Sequence, residues 1–363
     1  MTEPEPLQQI RRTYVRYRGR VLSYFSGCDY FRMASHPAVA AALKSGLKRY
    51  GLNVAASRMT TGNHRLYYDL ERRLVDFFAA EDALVVPSGY MTNLVVAQAL
   101  AGTFSHALID EQAHPSLADA ARLFDCPVLR FKSRDSKDLA SALRRCGPGV
   151  RPILLTDGMF SRDGSAAPLA EYLKLLPKDG MILLDDAHGA GVLGRTGKGA
   201  QEHAGVGRKR IIQTITLSKA FGVYGGAILS TKQIRGKIVE KSRLFIGSTA
   251  LPLPLAAAAI ESVRILQKDT NLRKRLLENT LYVKSAIRAS GFDVPQTPGP
   301  IVTLPPTSPA KTEALRRSFL KSHIYPPFIK YPGGPANGYF RFVISSEHSR
   351  GQLDGVLRVL GAQ

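Results

Sequence analysis

From about residue 37 the chain alternates short, nearly continuous apolar runs with longer stretches in which apolar residues recur every three to four positions. The clearest runs are residues 83–87, 107–110, 128–131, 152–156, 181–184, 211–217 and 227–229. Helical spacing occupies several of the intervals, at 93–100, 117–123, 139–145 and 169–175. Strands that are apolar at every position must be buried on both faces, so the pattern predicts an α/β architecture with a mostly parallel sheet covered by helices. After residue 250 the rhythm changes. A helix at 255–266, a long amphipathic helix at 272–289, an extended stretch at 299–304, a helix at 311–322, a strand at 339–345 and a last helix at 352–360 predict a smaller α+β domain. Three parts are expected: an N-terminal arm over 1–36 with little periodicity of its own, a large domain over 37–250, and a C-terminal domain over 251–363.

Ligands of parallel α/β sheets bind at the carboxyl ends of the strands, so the residues that follow each apolar run carry the candidate chemistry. The first run leads into Ser88-Gly89-Tyr90 and a helix, a geometry that offers free N–H groups to a phosphate, although taken alone a plain helix cap is the simpler reading. The second is followed by His114, which could stack on a planar ring or serve the loop structurally. The 181–184 run ends in Asp185-Asp186-Ala187-His188. A carboxylate emerging from a buried strand needs a partner. A pyridinium nitrogen, a helix N-terminus or a metal would each serve for Asp185, and His188 follows three residues on. The 211–217 run, which includes Thr216, leads to Ser218-Lys219 and a glycine turn. There a partly desolvated amine becomes a nucleophile, unless Lys219 is one more surface lysine.

Composition narrows the classes. The 363 residues carry 50 Lys and Arg against 29 Asp and Glu, a net charge of +21. Such a surface attracts anions: nucleic acid, phosphate-bearing small molecules or an acidic carrier protein. The basic residues are dispersed, with no zinc-finger spacing or aromatic RNA-binding motif, so nucleic acid is not the expected partner. Three scattered cysteines, Cys28, Cys126 and Cys146, argue against a disulfide framework or a cysteine zinc site, and no metal site is expected. No apolar run approaches the roughly 20 residues that span a bilayer. A soluble, cytoplasmic protein without membrane association is expected.

Taken together and in order, a phosphate turn, a stacking histidine, an Asp-x-x-His strand end and a Ser-Lys strand end would assemble one pyridoxal phosphate site. The same stretches resemble the α-oxoamine synthases. The likeness runs from about Ser26 to the C-terminus through HPAV at 36–39, SRMTTG at 57–62, LERRLVDFF at 70–78, SGYMTN at 88–93, TDGMFSRDGSAAPL at 156–169, DDAHGAGVLGRTGKG at 185–199, TLSKAFG at 216–222, GGAIL at 225–229 and STALPLP at 248–254.

The resemblance implies a fold-type I pyridoxal-phosphate-dependent transferase with a mostly parallel seven-stranded sheet. It implies decarboxylative condensation of a small amino acid, L-alanine or glycine, with an acyl-CoA or acyl carrier protein thioester. Lys219 would be the Schiff-base lysine, Asp185 the partner of the ring nitrogen, His188 that of the ring hydroxyl, and His114 the stacking group. Ser88, Gly89, Tyr90 and Thr216 would hold the phosphate, and Ser161 would contact the cofactor. Ser248 and Thr249 would reach the phosphate of a neighbouring subunit, making the enzyme a homodimer with shared sites. Arg341 would grip the amino-acid carboxylate. Cys28 stands where the family has an asparagine that helps seat the substrate, Tyr67 replaces a histidine, Ser133-Arg134-Asp135 replaces His-Asn-Asp, and Ser165 replaces an aspartate. Arg195, Lys198 and Arg208 are candidates for a basic rim that draws in the thioester carrier. The competing expectations are a transaminase of the same fold and a catalytically silent anion-binding relative.

Overall fold

The computed structural model describes residues 5–330 and 334–361. The contacts divide it into two compact units. One takes in the N-terminal residues up to His36, the short segment Ser161–Ser165, and everything described from Thr270 onward. The other comprises Pro37–Phe160 and Ala166–Asp269.

The N-terminal segment is not the featureless arm its weak periodicity suggests. It forms three strands, β1 (Gln8–Arg11), β2 (Tyr14–Tyr17) and β3 (Arg20–Tyr24). They pair as antiparallel neighbours in sequence order. Arg18 and Gly19, both at positive φ, make the tight turn between β2 and β3.

The Pro37–Asp269 unit opens with α1 (Pro37–Tyr50) and α2 (Arg65–Phe78). It then alternates β4 (Asp82–Val86), α3 (Gly89–Ala99), β5 (His106–Asp110), α4 (Pro115–Leu123), β6 (Val128–Phe131), α5 (Ser136–Arg145), β7 (Pro152–Asp157), α6 (Leu169–Leu175), β8 (Met181–Asp185), α7 (Ala200–His203), β9 (Ile211–Thr216) and β10 (Gly226–Ser230). It closes with α8 (Lys232–Lys241), α9 (Arg243–Ile246) and α10 (Leu253–Lys268). The seven strands form one sheet in the order β4-β10-β9-β8-β7-β5-β6. Pairing is parallel from β9 to β6, while β10 runs antiparallel to both its neighbours. Leu84, Val86, Ile109, Ile153, Leu155, Leu183, Ile212 and Ile228 pack into one cluster with the apolar faces of α3 and α4. The alternate positions, among them Val85, Leu108, Leu154, Ile182, Leu184 and Leu229, are buried as well. Both faces are therefore covered, which is why these strands read as unbroken apolar runs.

This register decides where the chemistry sits. Asp157 is the β-partner of Asp185, and Asp185 that of Thr214, so the polar ends of β7, β8 and β9 share one edge. Since β4 and β9 both run antiparallel to the strand between them, the chain leaves β4 toward Ser88 at that same edge.

The other unit continues with α11 (Thr270–Ala289), β11 (Ile301–Thr303), α12 (Pro309–Lys321), β12 (Ile324–Tyr325), β13 (Phe328–Ile329), β14 (Tyr339–Val343) and α13 (Arg350–Gly361). Strands β11-β14-β13 form an antiparallel sheet, and β12 adds in parallel to β3 to complete a four-stranded one. Its core gathers Phe25, Val283, Ile287, Val302, Phe319, Phe340, Phe342 and Leu353.

Candidate active site

A cavity of about 310 Å³ opens at the strand-end edge. Ser88, Gly89 and Tyr90 from the start of α3 line it together with Thr216, Lys219, His114, Asp185 and His188. The four separate polar strand ends expected to act together thus face one space.

Ser88 is the N-cap of α3, its hydroxyl accepting from the Met91 N–H at 3.4 Å. A Cβ added at Gly89 would lie 2.6 Å from both Cβ and Oγ1 of Thr216. Only glycine lets the first turn of α3 come this close to the end of β9. The resulting cradle exposes first-turn N–H groups and the positive end of the helix dipole.

Asp185 is 8% exposed at the end of β8. Its Oδ2 accepts from Asn93 Nδ2 at 2.7 Å and from the Ser116 hydroxyl at 3.3 Å, and its Oδ1 accepts from the Ala187 N–H at 3.1 Å. The Thr214 hydroxyl donates to Asn93 Oδ1 at 2.7 Å and so fixes which way the amide faces. These donors are all neutral. They hold the carboxylate in one orientation at the wall of the cavity.

The His114 N–H donates to Asp157 Oδ1 at 3.0 Å, and the Ser116 N–H donates to His114 Nδ1 at 3.2 Å. The Ser116 hydroxyl also lies 2.7 Å from Nδ1, so this one nitrogen anchors the ring to the start of α4. Burial, with the Lys219 ammonium nearby, pushes the imidazole below its ordinary 6.5 against the pull of Asp185. A neutral, edge-anchored ring can lie against an aromatic cofactor. Asp157 is 5% exposed, and burial with the Asp185 carboxylate alongside drives its acid well above 3.8. Of the two carboxyls on neighbouring strands, Asp185 has the fuller set of hydrogen-bond donors.

Asn93, Ser116, Asp157 and Thr214 were not singled out from the sequence. Asp157 carried the same mark as Asp185, an acid straight after an apolar run. Asn93 and Thr214 lie inside regular elements, and only the packing of α3 on β9 brings them to Asp185. Asp186, next in the chain, is fully buried: its Oδ2 accepts from the Ala200 N–H at 2.9 Å and from Gln213 Nε2 at 2.6 Å. Burial pushes its acid up to about 7. It braces the glycine-rich loop after β8 and is not part of the cavity wall.

Ser248 and Thr249 do not line this cavity. They border a small separate cleft with Arg58 and Tyr67, and Thr249 bridges to Ser57. In the other unit, Arg341 on β14 donates through Nε to the Ser161 carbonyl at 2.6 Å, and its Nη2 lies 3.7 Å from Cys28 Sγ. Ser161, Cys28 and Arg341 thus form a second cluster. Of the proposed basic rim, Arg195 is exposed, whereas Lys198 and Arg208 are half-buried. Arg208 donates to the Phe78 carbonyl at 3.5 Å, so its charge is turned inward and not toward a carrier. Among the described residues no helix is long and apolar enough to cross a membrane.

The family described as aminotransferase class I and II matches residues 27–360. The 8-amino-7-oxononanoate synthase of Thioalkalivibrio sulfidiphilus is 34% identical over 345 residues, covering 94% of this chain and 88% of that protein. Serine palmitoyltransferase of Sphingomonas wittichii superposes with a TM-score of 0.93 at 27% identity, covering 99% of this chain and 92% of that one. A structure of SPT with a PLP internal aldimine matches with a TM-score of 0.91 at 28% identity, covering 98% of this chain and 90% of that one.

Proposed function

The chain belongs to the aminotransferase class I and II family, and within it to the α-oxoamine synthases; from that premise we propose that it joins a small amino acid to an acyl thioester, releasing CO₂ and the thiol and leaving an α-amino ketone. The specific reading is 8-amino-7-oxononanoate synthesis on the route to biotin, by a cytoplasmic homodimer using L-alanine. The observation that carries it is the shared cavity, lined together by Lys219, the glycine cradle and the hydrogen-bonded Asp185.

The residues present fit pyridoxal phosphate: a cradle for an anion, a carboxylate furnished to face a cation, and an amine. When bound, that cofactor supplies an electron sink for negative charge at the amino acid's Cα. The chain's residues do the rest. The N–H groups of Gly89 and Tyr90, with the hydroxyls of Ser88 and Thr216, hold the phosphate. Asp185 would accept the hydrogen bond of the ring nitrogen and favour its cationic form. His188 would serve the ring hydroxyl, His114 would cover a ring face, and Ser161 would add a further contact. Lys219 would anchor the cofactor covalently, and its free amine would take a proton from the amino acid's Cα. Arg341 takes the amino-acid carboxylate, with Cys28 beside it. Ser248 and Thr249, which do not line this chain's own cavity, are assigned to the phosphate of the second subunit. The net charge of +21 favours encounter with coenzyme A or an acidic carrier protein.

Purified enzyme mixed with alanine, glycine or serine and a panel of acyl thioesters should release thiol and CO₂ together. Lys219→Ala should bind little cofactor covalently and lose on the order of 10³-fold or more in turnover. Formation of a keto acid from the amino acid, without CO₂ or thiol, would replace this reading with a transaminase.

A further inference from the structure

Lys284, on α11, is 2% exposed, an unusual place for an ammonium. Its Nζ donates three hydrogen bonds: to the Thr297 carbonyl at 2.7 Å, the Thr297 hydroxyl at 2.8 Å and the Gly299 carbonyl at 2.7 Å. An ammonium has three protons, and each has one acceptor. The residues so gathered hold something in turn. The Thr297 hydroxyl passes its own proton to the Asp163 carbonyl at 2.8 Å, and the Gly299 N–H donates to the Gly164 carbonyl at 2.9 Å. Thr303 Oγ1 donates to the Arg162 carbonyl at 2.6 Å, and Arg341 Nε to that of Ser161 at 2.6 Å. Four consecutive carbonyls, 161 to 164, are each taken by a different donor. Gly164, at φ +75°, permits the contact, since a Cβ there would lie 3.0 Å from the Gly299 Cα.

We propose that Lys284 is a positioning residue for the amino-acid substrate: its ammonium sets residues 297–299, these register Ser161–Ser165, and Arg341 is thereby held in the orientation that receives a carboxylate. The inference rests on Arg341 being the carboxylate-binding group. The charged groups facing Lys284 are Asp163, which favours the ammonium, and Arg288, one turn along its own helix, which opposes it. Burial outweighs the attraction and brings the amine down to about 8. A neutral amine has two protons for three acceptors, so the clasp loosens in mildly alkaline solution.

Lys284→Met keeps the unbranched apolar stem and removes all three donors. The amino-acid KM should rise roughly tenfold, the loss of one or two charge-assisted bonds. Cofactor absorbance and the KM for the acyl thioester should stay unchanged, and amide exchange across Ser161–Ser165 should quicken. The wild-type amino-acid KM should climb above pH about 8 relative to Lys284→Met, in which the step is lost. Thr297→Val, which leaves the ammonium in place and removes only its relay, should move the same KM by less and serves if the first variant folds poorly. Arg341→Gln separates the two ideas. If it leaves the amino-acid KM alone, the carboxylate assignment fails. If it raises that KM while Lys284→Met and Thr297→Val do not, the role of Lys284 is overturned by itself.

Discussion

Asn93 donates through Nδ2 to Asp185 Oδ2 at 2.7 Å, across an interval of 92 residues, and its own carbonyl is held by the Thr214 hydroxyl. The amide cannot flip without breaking both bonds, so it presents a donor to the carboxylate at all times. Asn93→Leu removes that donor with little change of volume. Loss of a bond to a charged acceptor should weaken cofactor retention by about tenfold or more. Equilibrium titration of the apoenzyme, followed by absorbance, measures it, and an unaltered dissociation constant would mean that Asp185 does not depend on Asn93.

The cradle at α3 makes a second expectation sharper. Gly89→Ala forces a methyl to within 2.6 Å of Thr216 Cβ, an atom at the root of its side chain that cannot swing away. The local overpacking is worth about 1–3 kcal/mol, or about one to two orders of magnitude in cofactor affinity. Thermal melting of the apoenzyme should change much less than cofactor binding does. Comparable losses in both would show that the glycine serves the fold and not the phosphate.

Cys28 tests the substrate cluster. Its Sγ lies 3.7 Å from Arg341 Nη2, at the position where the α-oxoamine synthase pattern carries an asparagine. Cys28→Asn replaces a weak acceptor with a strong one. The amino-acid KM should fall by roughly 2- to 10-fold while that for the thioester holds steady. A change confined to the thioester would move Cys28 to the other substrate.

His348 gives the pH dependence a defined window. Its Nδ1 accepts from the Ser345 N–H at 3.0 Å, its ring stacks on Phe25 with centroids 4.1 Å apart, and it is 4% exposed. Burial, helped by the Arg32 guanidinium, brings its acid from the ordinary 6.5 down to about 3. The folded protein keeps the ring neutral while the unfolded chain protonates below 6.5. Stability from this group is complete above 6.5 and is lost as the pH falls toward 3, by up to about 1.4 kcal/mol per unit. His348→Asn, which retains an acceptor, should flatten the fall in Tm between pH 6.5 and 4.5. An equally steep fall would assign the acid sensitivity to other groups.

The seven strands of the large sheet were legible because burial on both faces leaves an unbroken apolar signature, and a polar residue directly after such a run marks the working edge. Ser88, Asp185, Thr216 and Lys219 could be found that way. The antiparallel direction of β10 could not, since apolar content carries no polarity of chain direction. Strands β12 and β13, two residues each, are too short for any period. Strands β1 to β3 mix Arg, Tyr and Gln on both faces, so no apolar period marks them, and they are defined by pairing with one another. Asn93, Ser116 and Thr214 escaped for a related reason: their role is a contact across elements, and each looks like an ordinary helix or strand residue in its own neighbourhood. The clasp at Lys284 draws on residues from 161 to 341, far beyond any local pattern.

Strand β3 ends near residue 24, yet the strand that completes its sheet is Ile324–Tyr325. During synthesis the first strands must therefore wait, with one edge open, until some 300 further residues have been made. The unit between Pro37 and Asp269 holds nearly all its own partners and can consolidate meanwhile. Birth order and folding order are thus inverted for the amino-terminal strands, and a chain stopped short of residue 324 leaves them without their last neighbour.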